Sequence, residues 1–517
     1  MQVKHYLTAL ALAAAATGCA VGPNYRTPPE ELPTSFNTGP ASPPTTRPTT
    51  QSAATQPAQI DVARWWQGFN DPELDSLVER TVAANLDLKI ALNRLQESRA
   101  QEYVVTGATL PLVDLSAGAG WGSGNDSVRG RIAPPVYAGT NTTGLKNINY
   151  IAGFDATWEI DLFGGFARQV EAARADTQAA YEARNAVLIT VVSDVARYYV
   201  TQRALELRLA VAQRNLAIQQ QSVSVVTQRY NQGITNELDP ALAQRELHTV
   251  ESTIAPLQAA IAQTQRQIAV LLGQLPQTLY TELSKPANLP APPHGVRPGL
   301  PIELLRRRPD IRQAERQLAA STARIGVATA QLFPRVALTA GGGFQGQGLG
   351  QNPVVNKGIW SVGPTLYWPL LDFGTLDAVV EVQDLRTREL LYNYRRAILV
   401  AVQEVDDAIT NYTAQRDRLD RLNDAVTASE RAVYLATQRY ERGLTDFLNV
   451  LDAQRQLYDL QDQQAVAEQS VATEYIALYK ALGGGWENYQ FIPPVRRPQP
   501  AVLAAGREIV APNHLQP

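Results

Sequence analysis

The chain has few of the residues that most often build metal centres and redox sites. Its 517 residues include one Cys and four His, and its only Met is the first residue. A single Cys forms no disulfide within the chain, and no two His have the spacing of metal ligands or catalytic pairs. These absences exclude a cysteine-based metal centre or a histidine cluster, and they argue strongly against an enzyme.

Long apolar runs and a strong charge of one sign are also lacking. After residue 16, no apolar run approaches the roughly 20 residues that a transmembrane helix needs. A chain that crossed a membrane without such a helix would do so as a closed β-barrel. The formal net charge of −3 and the pI of about 6.0 argue against a nucleic-acid partner.

One motif matches a nucleotide-binding site in the spacing of its glycines but not in the residues that follow them. Gly341, Gly343 and Gly346 have the G-x-G-x-x-G spacing of a dinucleotide site, but such a site needs a helix directly after the glycines. Further Gly and Gln residues and then Pro353 follow instead. We therefore interpret the motif as a surface loop.

The N-terminus contains an export signal, predicted at residues 1–18. Lys4 precedes an apolar run that is too short to span a bilayer and is followed by small residues. Ala16-Thr17-Gly18-Cys19 has the pattern of a bacterial lipobox. It predicts that Cys19 becomes the mature N-terminus and carries covalent lipid with palmitate-type acyl chains, since stable anchoring takes more than one chain. The alternative to a lipobox is a plain signal peptide that happens to contain a Cys. If Cys19 is lipidated, Ala20 after it favours sorting to the outer membrane.

The body of the chain is a duplicated module. A shift of 210 positions places Trp158 on Trp368, whereas upstream the shift is 223 and places Asp87 on Asp310. The first copy therefore has 13 additional residues before Trp158, which mark a loop of variable length. The predicted segments are a lipidated N-terminus and flexible tether (19–59), a first repeat (60–285), a linker (286–301), a second repeat (302–485) and a C-terminal tail (486–517).

Each repeat contains a predicted β-hairpin, at 112–161 and at 335–371. Apolar and polar residues alternate around Trp158 and again around Trp368. Each alternating stretch has about ten residues, the length that a tilted strand needs to cross a membrane. A soluble, half-buried strand alternates as well, but four such strands in an exported lipoprotein favour the wall of a barrel.

The strand count predicts an oligomer. Four strands cannot close a membrane barrel, because the smallest have about eight, so the free edges must pair with other copies of the chain. Two copies give eight strands and three copies give twelve, and only the wider ring leaves a useful lumen.

Two predicted helices are too long for a compact core. Residues 166–230 and 375–440 contain no Pro, and a helix of about 65 residues measures about 100 Å. Near-heptad apolar spacing predicts coiled-coil-like packing against a returning helix, in which Pro256 is expected to cause a bend or an interruption. The predicted helical hairpins lie at 165–273 and 374–483, and further helices lie within 74–109 and 302–332.

The turns of these hairpins form two predicted tips. Gly233 and Gly443 can adopt a positive φ and end a helix, while Asn236 and Asp446 can cap the helix that follows. We expect the tips to lie farthest from the membrane, where a partner first meets them.

Several motifs together resemble those of the TolC-like outer membrane efflux proteins, in their NodT-type lipoprotein branch. The resemblance extends from Cys19 to about Trp486. The matching motifs are Cys19-Ala20-Val21-Gly22-Pro23-Asn24-Tyr25, Trp65-Trp66 with Phe69 and Asp71-Pro72, Arg306-Arg307-Arg308-Pro309-Asp310-Ile311-Arg312, and the tip sequence that begins at Tyr440.

The resemblance implies a homotrimeric α/β membrane channel in a Gram-negative outer membrane. Each chain would supply four strands to a twelve-stranded β-barrel, which continues into a long periplasmic α-helical barrel built from both repeats. Such a duct passively conducts small-molecule or ion cargo. Its partners would be a periplasmic adaptor (membrane fusion) protein, an inner-membrane pump of the RND or a related type, and outer membrane lipid. No cofactor is implied beyond the covalent lipid on Cys19.

The resemblance also assigns roles at the tips. Asp239, Asn449, Asp452 and Tyr440 are the candidates for a periplasmic gate, and three copies of Asp452 would form a ring of like charge that favours cations. Asp239 could instead be only a cap on the solvated surface. The candidate residues for adaptor docking are Gly233, Ile234, Thr235, Gly443, Leu444 and Thr445.

A lipid-anchored coiled-coil tether, or an adhesin, is the rival interpretation. A tether explains the long helices and the lipobox but not the four amphipathic strands. An adhesin is expected to have large outward loops, whereas the loops predicted at 122–149 and 345–359 are modest.

Overall fold

The computed structural model describes most of the chain, namely residues 20–29, 62–123, 146–285, 287–293, 303, 307–349 and 352–489. The predicted signal peptide, Cys19, and most of the predicted tether and tail lie outside these residues. Within the described part, no helix has both the length and the apolarity that a membrane span requires.

Helices account for most of the described residues, and the long ones occur in matched pairs. Both longest helices have 67 residues, and their returning partners have 34 and 35. In chain order the helices are a 3-10 helix (Val62–Phe69), α1 (Pro72–Ala84), α2 (Leu86–Gly107), α3 (Gly165–Asn231), α4 (Leu238–Leu271), α5 (Tyr280–Leu283), α6 (Pro309–Ala330), α7 (Thr375–Glu441), α8 (Phe447–Ala481) and a 3-10 turn (Glu487–Tyr489).

The structure adds detail to two helical expectations. The helix-rich segment predicted over 74–109 contains two helices divided at Asn85, whose Oδ1 accepts a hydrogen bond from the N–H of Leu88 (3.0 Å) and whose Nδ2 donates to the carbonyl of Leu271 (2.8 Å). Asn85 therefore caps α2 and fastens it to the end of α4. Pro256, in contrast, lies inside an uninterrupted α4.

The four strands form one antiparallel sheet in the order β1-β2-β3-β4. The expected 15-residue loop at 345–359 is wrong, because β3 and β4 extend through most of it. Likewise, the Gly341-x-Gly343-x-x-Gly346 motif lies within β3 and is not a loop. The strands are β1 (Leu112–Ser123), β2 (Lys146–Ile160), β3 (Arg335–Leu349) and β4 (Asn352–Tyr367).

The register gathers the apolar positions of all four strands on one face. Leu115 pairs with Phe154, Phe154 with Gly342, and Gly342 with Trp360. Leu115, Phe154 and Trp360 are 69%, 58% and 80% exposed. An apolar sheet face that none of the other described residues covers suits a lipid environment.

The two hairpins have the same register. Leu112 pairs with Thr157, and shifting these positions by 223 and 210 gives Arg335 and Tyr367, which pair as well. Their tryptophans repeat too: the indole N–H of Trp158 donates to the carbonyl of Thr109, and that of Trp368 to the carbonyl of Leu332, both at 3.1 Å. The two sequence offsets therefore relate each paired residue of the first hairpin to its equivalent in the second hairpin.

The long helices end in the same hydrogen-bonded motif. The N–H of Gly233 donates to the carbonyl of Tyr230, and the next N–H, that of Ile234, donates to the carbonyl of Arg229. The same two bonds occur at Gly443 and Leu444. Gly233 and Gly443 have φ values of +71° and +72°, so both glycines end their helices as predicted.

A central cluster of apolar side chains joins the 3-10 helix and α1 to the long helices. Trp65, Leu77, Tyr199 and Tyr475 are fully buried within it, and residues of α4, α7 and α8 also contribute. Asp71 fixes α1 against this cluster. Its carboxylate accepts hydrogen bonds from the first turn of α1 and from the hydroxyl of Tyr199 (2.7 Å).

Arg203 of α3 is a fully buried cation at the edge of the central cluster. Its guanidinium contacts the carboxylates of Glu73 at 2.6 Å and Glu206 at 2.8 Å, and it donates to the carbonyl of Lys285 at 2.9 Å. These bonds fasten α1 and the segment after α5 to the middle of α3.

Candidate functional site at the helical tips

The two tips carry equivalent side-chain contacts. The hydroxyl of Thr235 donates to the carboxylate of Asp239, and the amide of Asn449 donates to the hydroxyl of Thr445 at 2.7 Å. Both bonds connect a turn to the first turn of the helix that follows. They stiffen each tip separately.

One contact joins the tips of the different repeats. The guanidinium carbon of Arg229, at the end of α3, lies 4.7 Å from the centre of the Tyr440 ring, at the end of α7. Tyr440 is only 7% exposed, and its ring lies 5.5 Å from that of Phe447. A cation placed over an aromatic face is attracted to it, and the attraction is stronger where water is excluded.

Burial and charge both act on the Tyr440 hydroxyl. Removal from water raises the pKa of Tyr440, the Arg229 guanidinium opposes this rise, and the Asp239 carboxylate adds to it. Arg229, Tyr440 and Asp239 therefore form a charged, partly dehydrated group between α3, α4 and α7. A small cluster of apolar residues surrounds this group: Val226, Ala243, Phe447, Val450 and Leu451.

The predicted gate residues separate into two sets. Tyr440 and Asp239 lie close enough for the Asp239 carboxylate to act on the Tyr440 hydroxyl. Asn449 and Asp452 are exposed, and the bond of Asn449 is to its own turn. The side chain of Asp446, a predicted cap, makes no capping hydrogen bond, whereas that of Asn236 accepts from the N–H of Leu238 at 2.9 Å.

The predicted docking residues form the outer surface of both turns. Ile234 and Leu444 occupy equivalent positions and are 57% and 64% exposed. Gly233 and Gly443 have no side-chain neighbours that a Cβ atom would meet. Each turn thus presents an exposed apolar side chain, and a second one follows in the next helix, at Leu238 and at Leu448.

Polar contacts also join the two helical hairpins farther along the long helices, away from the tips. Arg208 of α3 binds both carboxylate oxygens of Asp462 of α8, at 2.7 and 3.1 Å. Closer to the tips, Arg455 of α8 forms an ion pair with Glu246 of α4 at 3.2 Å. The chain therefore holds its two hairpins together by ion pairs as well as by the contact at Tyr440.

The other end of the helical body binds an N-terminal strap comprising residues 20–29. Arg168 of α3 donates to the carbonyl groups of Val21 and Gly22 at 3.0 and 3.2 Å and to Asn24 Oδ1 at 2.7 Å. The hydroxyl of Tyr25 donates to Glu315 of α6 at 2.8 Å. The first part of the predicted tether is thus bound to both repeats.

Sequence reasoning missed Arg229 and Arg168. Arg229 was visible as part of Thr227-Gln228-Arg229-Tyr230, which recurs at 437–440, but a repeated motif does not show that Arg229 of one copy meets Tyr440 of the other. Arg168 had no such signal, because two of its partners are backbone carbonyl groups, which any residue could supply.

Comparisons with known proteins agree with this architecture. The family model described as "Outer membrane efflux protein" matches residues 77–274 and 300–484. Nodulation protein T of Rhizobium leguminosarum bv. trifolii is 31% identical over 471 residues, which cover 91% of this chain and 95% of the relative. The toluene efflux pump outer membrane protein TtgC of Pseudomonas putida is also 31% identical, with 91% and 93% covered.

A solved structure of the outer-membrane channel OprN is 35% identical and aligns with a TM-score of 0.78, covering 90% of this chain and 100% of that chain. We conclude that the chain belongs to the outer membrane efflux protein family: it is an efflux channel of the Gram-negative outer membrane, whose trimer combines a twelve-stranded barrel with a periplasmic helical barrel.

Proposed function

We propose that this channel is the passive exit duct of a tripartite efflux system and that the contact between its two tips keeps it closed at rest. The stacking of Arg229 on Tyr440 carries the proposal. These residues end helices of different repeats, so an opening that separates the two helical hairpins must break their contact. Small molecules or ions would then pass from the pump and adaptor to the exterior.

Conductance in planar lipid bilayers tests the closure. Tyr440→Ala and Arg229→Gln each remove the stacking, which is worth about 2 kcal/mol where it is dehydrated, so both variants should raise the resting conductance several-fold. Tyr230→Ala is the matched control, because Tyr230 is the equivalent residue of the first repeat and is 40% exposed. Equal conductance in all three variants and the wild type would disprove this closure.

Asp239 and Asp452 contribute to the gate in different ways. Asp239 reinforces the group around Tyr440, so Asp239→Ala should raise the resting conductance less than Tyr440→Ala does. Asp452 is exposed, and three copies around the trimer axis would attract cations by simple Coulomb interaction. Asp452→Asn should therefore lower the cation preference, measured as a reversal potential in a salt gradient, without opening the gate.

The exposed tips are the surface that we propose for docking the periplasmic adaptor. Ile234 and Leu444 would each insert an apolar side chain into the adaptor. Replacing both with Glu should abolish adaptor binding and efflux in cells while leaving the trimer and its conductance intact. Efflux that persists in the double variant, at wild-type channel levels, would exclude docking through these residues.

Lipidation at Cys19 would anchor the chain beside its docked strap. The lipobox supports this proposal, and Ala20, the residue that follows Cys19, packs against Gly164: a Cβ atom added to Gly164 would lie 2.5 Å from the Ala20 Cα. Cys19→Ser should abolish labelling by radioactive palmitate. Unchanged labelling of this variant would show that the lipid is elsewhere.

A further inference from the structure

We propose that the first repeat carries a binding cleft for an uncharged oligosaccharide, between α3, α4 and the segment 280–289. The cleft has a volume of about 850 Å³, and ligand sites in proteins typically measure about 300–1,000 Å³. Its α3 residues lie between Glu206 and Gln213, at least about 30 Å along the helix from Gly233. The cleft is therefore separate from the tips and from the surface proposed for adaptor docking.

The residues that line the cleft indicate an uncharged ligand. Among the described lining residues, Glu206 is the only charged one, and its carboxylate is already held by Arg203 at 2.8 Å. The described lining has no Lys or Arg that would bind a phosphate or a carboxylate, and no group of acidic residues that would bind a cation. Hydrogen bonds from neutral groups must therefore recognise the ligand.

Carboxamide groups supply these hydrogen bonds. Gln213, Gln258 and Asn288 line the cleft and are exposed. Each carboxamide offers two donor hydrogens and an acceptor oxygen. A sugar hydroxyl both donates and accepts, and an N-acetyl group has its own amide, so either can pair with such a side chain.

One further carboxamide in the cleft is buried and incompletely bonded. Gln265 of α4 lines the cleft and is only 5% exposed, and its Oε1 has no hydrogen-bond partner among the described residues. Buried polar atoms in folded proteins nearly always have a partner. A hydroxyl group of a bound sugar would supply the missing donor at Gln265.

Tyr280 supplies an aromatic surface beside these amides. It is the first residue of α5, lines the cleft and is 64% exposed. One face of a sugar ring consists mainly of C–H groups, which pack on an aromatic ring while the hydroxyl groups at the edge remain free to bond. A Tyr side chain suits such a contact because it is apolar on its face and polar at its tip.

The second repeat has no such cleft at the equivalent positions. The offset of 210 places Tyr475 at the position of Gln265, and the Tyr475 ring is fully buried in the central cluster, 5.1 Å from that of Phe69. Charged residues replace three neutral or paired positions of the cleft: Arg416, Asp420 and Glu468 stand where the first repeat has Glu206, Ala210 and Gln258. The amide-lined cleft therefore belongs to the first repeat alone and does not follow from the duplicated scaffold.

Two kinds of neutral glycan fit this chemistry. The helical barrel lies in the periplasm, where the cell wall contains chains of N-acetylated sugars and where free glucans also occur. Both present ring hydroxyls and C–H faces, and only the first presents N-acetyl groups. A cell-wall ligand would fasten the helical barrel to the wall, whereas a glucan would be a soluble ligand.

Saturation-transfer NMR on the full-length trimer tests the cleft, in a detergent without a sugar head group. The probes are chitotetraose, a tetrasaccharide of N-acetylglucosamine, and cellotetraose, a tetrasaccharide of glucose. At least one should receive saturation from the protein and bind in a titration. Stronger binding of chitotetraose would identify the cell-wall glycan as the source, and stronger binding of cellotetraose would identify a glucan.

Variants of the lining place the binding in the cleft. Tyr280→Ala should weaken binding about tenfold, the loss expected from one aromatic contact, whereas Tyr280→Phe should retain most of the affinity. Gln265→Leu should also weaken binding, because it removes the unpartnered oxygen. Tyr434→Ala is the matched control, since Tyr434 is similarly exposed at 55% but lies on α7, outside the cleft.

Size exclusion with light scattering should show that every variant remains a trimer. Binding of neither tetrasaccharide to the wild type would overturn the proposal. Binding that trimeric Tyr280→Ala and Gln265→Leu retain at full strength would overturn it as well, because the sugar would then bind elsewhere on the channel.

Discussion

The two repeats share a backbone but not their surroundings. Residues that set the backbone recur at the same offsets: Gly233 and Gly443 end the long helices with nearly equal φ values, and Trp158 and Trp368 make the same hydrogen bond. At positions that contact other elements, the two repeats have different residues. A duplicated chain can therefore keep one scaffold while each copy faces a different neighbour.

The difference is greatest in the middle of the long helices. In the first repeat, Arg203 is buried among carboxylates and carbonyl groups, whereas the equivalent residue of the second repeat is Thr413, whose hydroxyl bonds its own helix at the carbonyl of Ile409. At this position the first repeat thus has a buried ion pair, whereas the second has a neutral hydroxyl group.

Arg203→Thr should have the largest effect, because it gives the first repeat the residue of the second. Loss of a buried cation leaves Glu73 without its partner, and breaking such a pair costs about 3–5 kcal/mol. Thermal unfolding followed by circular dichroism should show a fall of many degrees in Tm. Thr413→Ser is the control at the equivalent position, and a comparable fall there would remove the distinction between the repeats.

Phe163 and Phe373 are equivalent residues, but Phe163 stacks on Phe333 within one chain, whereas Phe373 is 96% exposed. We therefore expect a neighbouring chain of the trimer to cover Phe373. Burying a Phe side chain contributes about 1.5–3 kcal/mol. Phe373→Ala should lower the temperature at which detergent-solubilised trimers dissociate into single chains. Phe163→Ala should lower the unfolding temperature of the chain itself, because its ring contact lies within one chain. If both variants changed only chain unfolding, the expected contact of Phe373 with a neighbouring chain would be wrong.

Gly233→Ala and Gly443→Ala should have equal and smaller effects. Both glycines have a positive φ and open space around the Cβ position, so the strain in the left-handed conformation is the main cost, about 1–2 kcal/mol per residue. Hydrogen exchange at the following N–H groups, those of Ile234 and Leu444, should become faster by a similar factor in both variants. Unequal factors would show that the two turns are not equivalent.

The sequence was sufficient to predict the limits of a helix where local residues mark its ends. The predicted limits of α3 and α7 were right to within one residue, because glycines flank both helices and no Pro lies inside them. The alternation around Trp158 and Trp368 correctly predicted which face of the sheet is apolar. The tether and adhesin interpretations also lose their basis once the sheet and helices match an efflux channel over nearly the whole chain.

The sequence alone did not predict the tertiary contacts. The loop expected at 345–359 is mostly strand, because pairing between β3 and β4 outweighs the low strand propensity of Gly and Pro. Asn85 offers a capping side chain, but its bond to the carbonyl of Leu271 depends on a helix almost 190 residues away. The contact of Arg229 with Tyr440 likewise requires that the two helical hairpins lie side by side.

The smallest predicted effect concerns a single carboxyl group of α8. Burial raises the pKa of Glu468 above its usual 4.5, and the equivalent residue of the first repeat is the neutral Gln258. The folded chain disfavours the charged form of Glu468. The contribution of Glu468 to the stability of the folded chain is therefore complete below about pH 4.5 and is lost as the pH rises through the raised pKa. Glu468→Gln should therefore raise Tm slightly at pH 7, and the gain should shrink as the pH is lowered toward 4.5. Glu430→Gln, at an exposed position of α7, controls for the lost charge; an equal, pH-independent gain in both variants would mean that burial of Glu468 has no part in the effect.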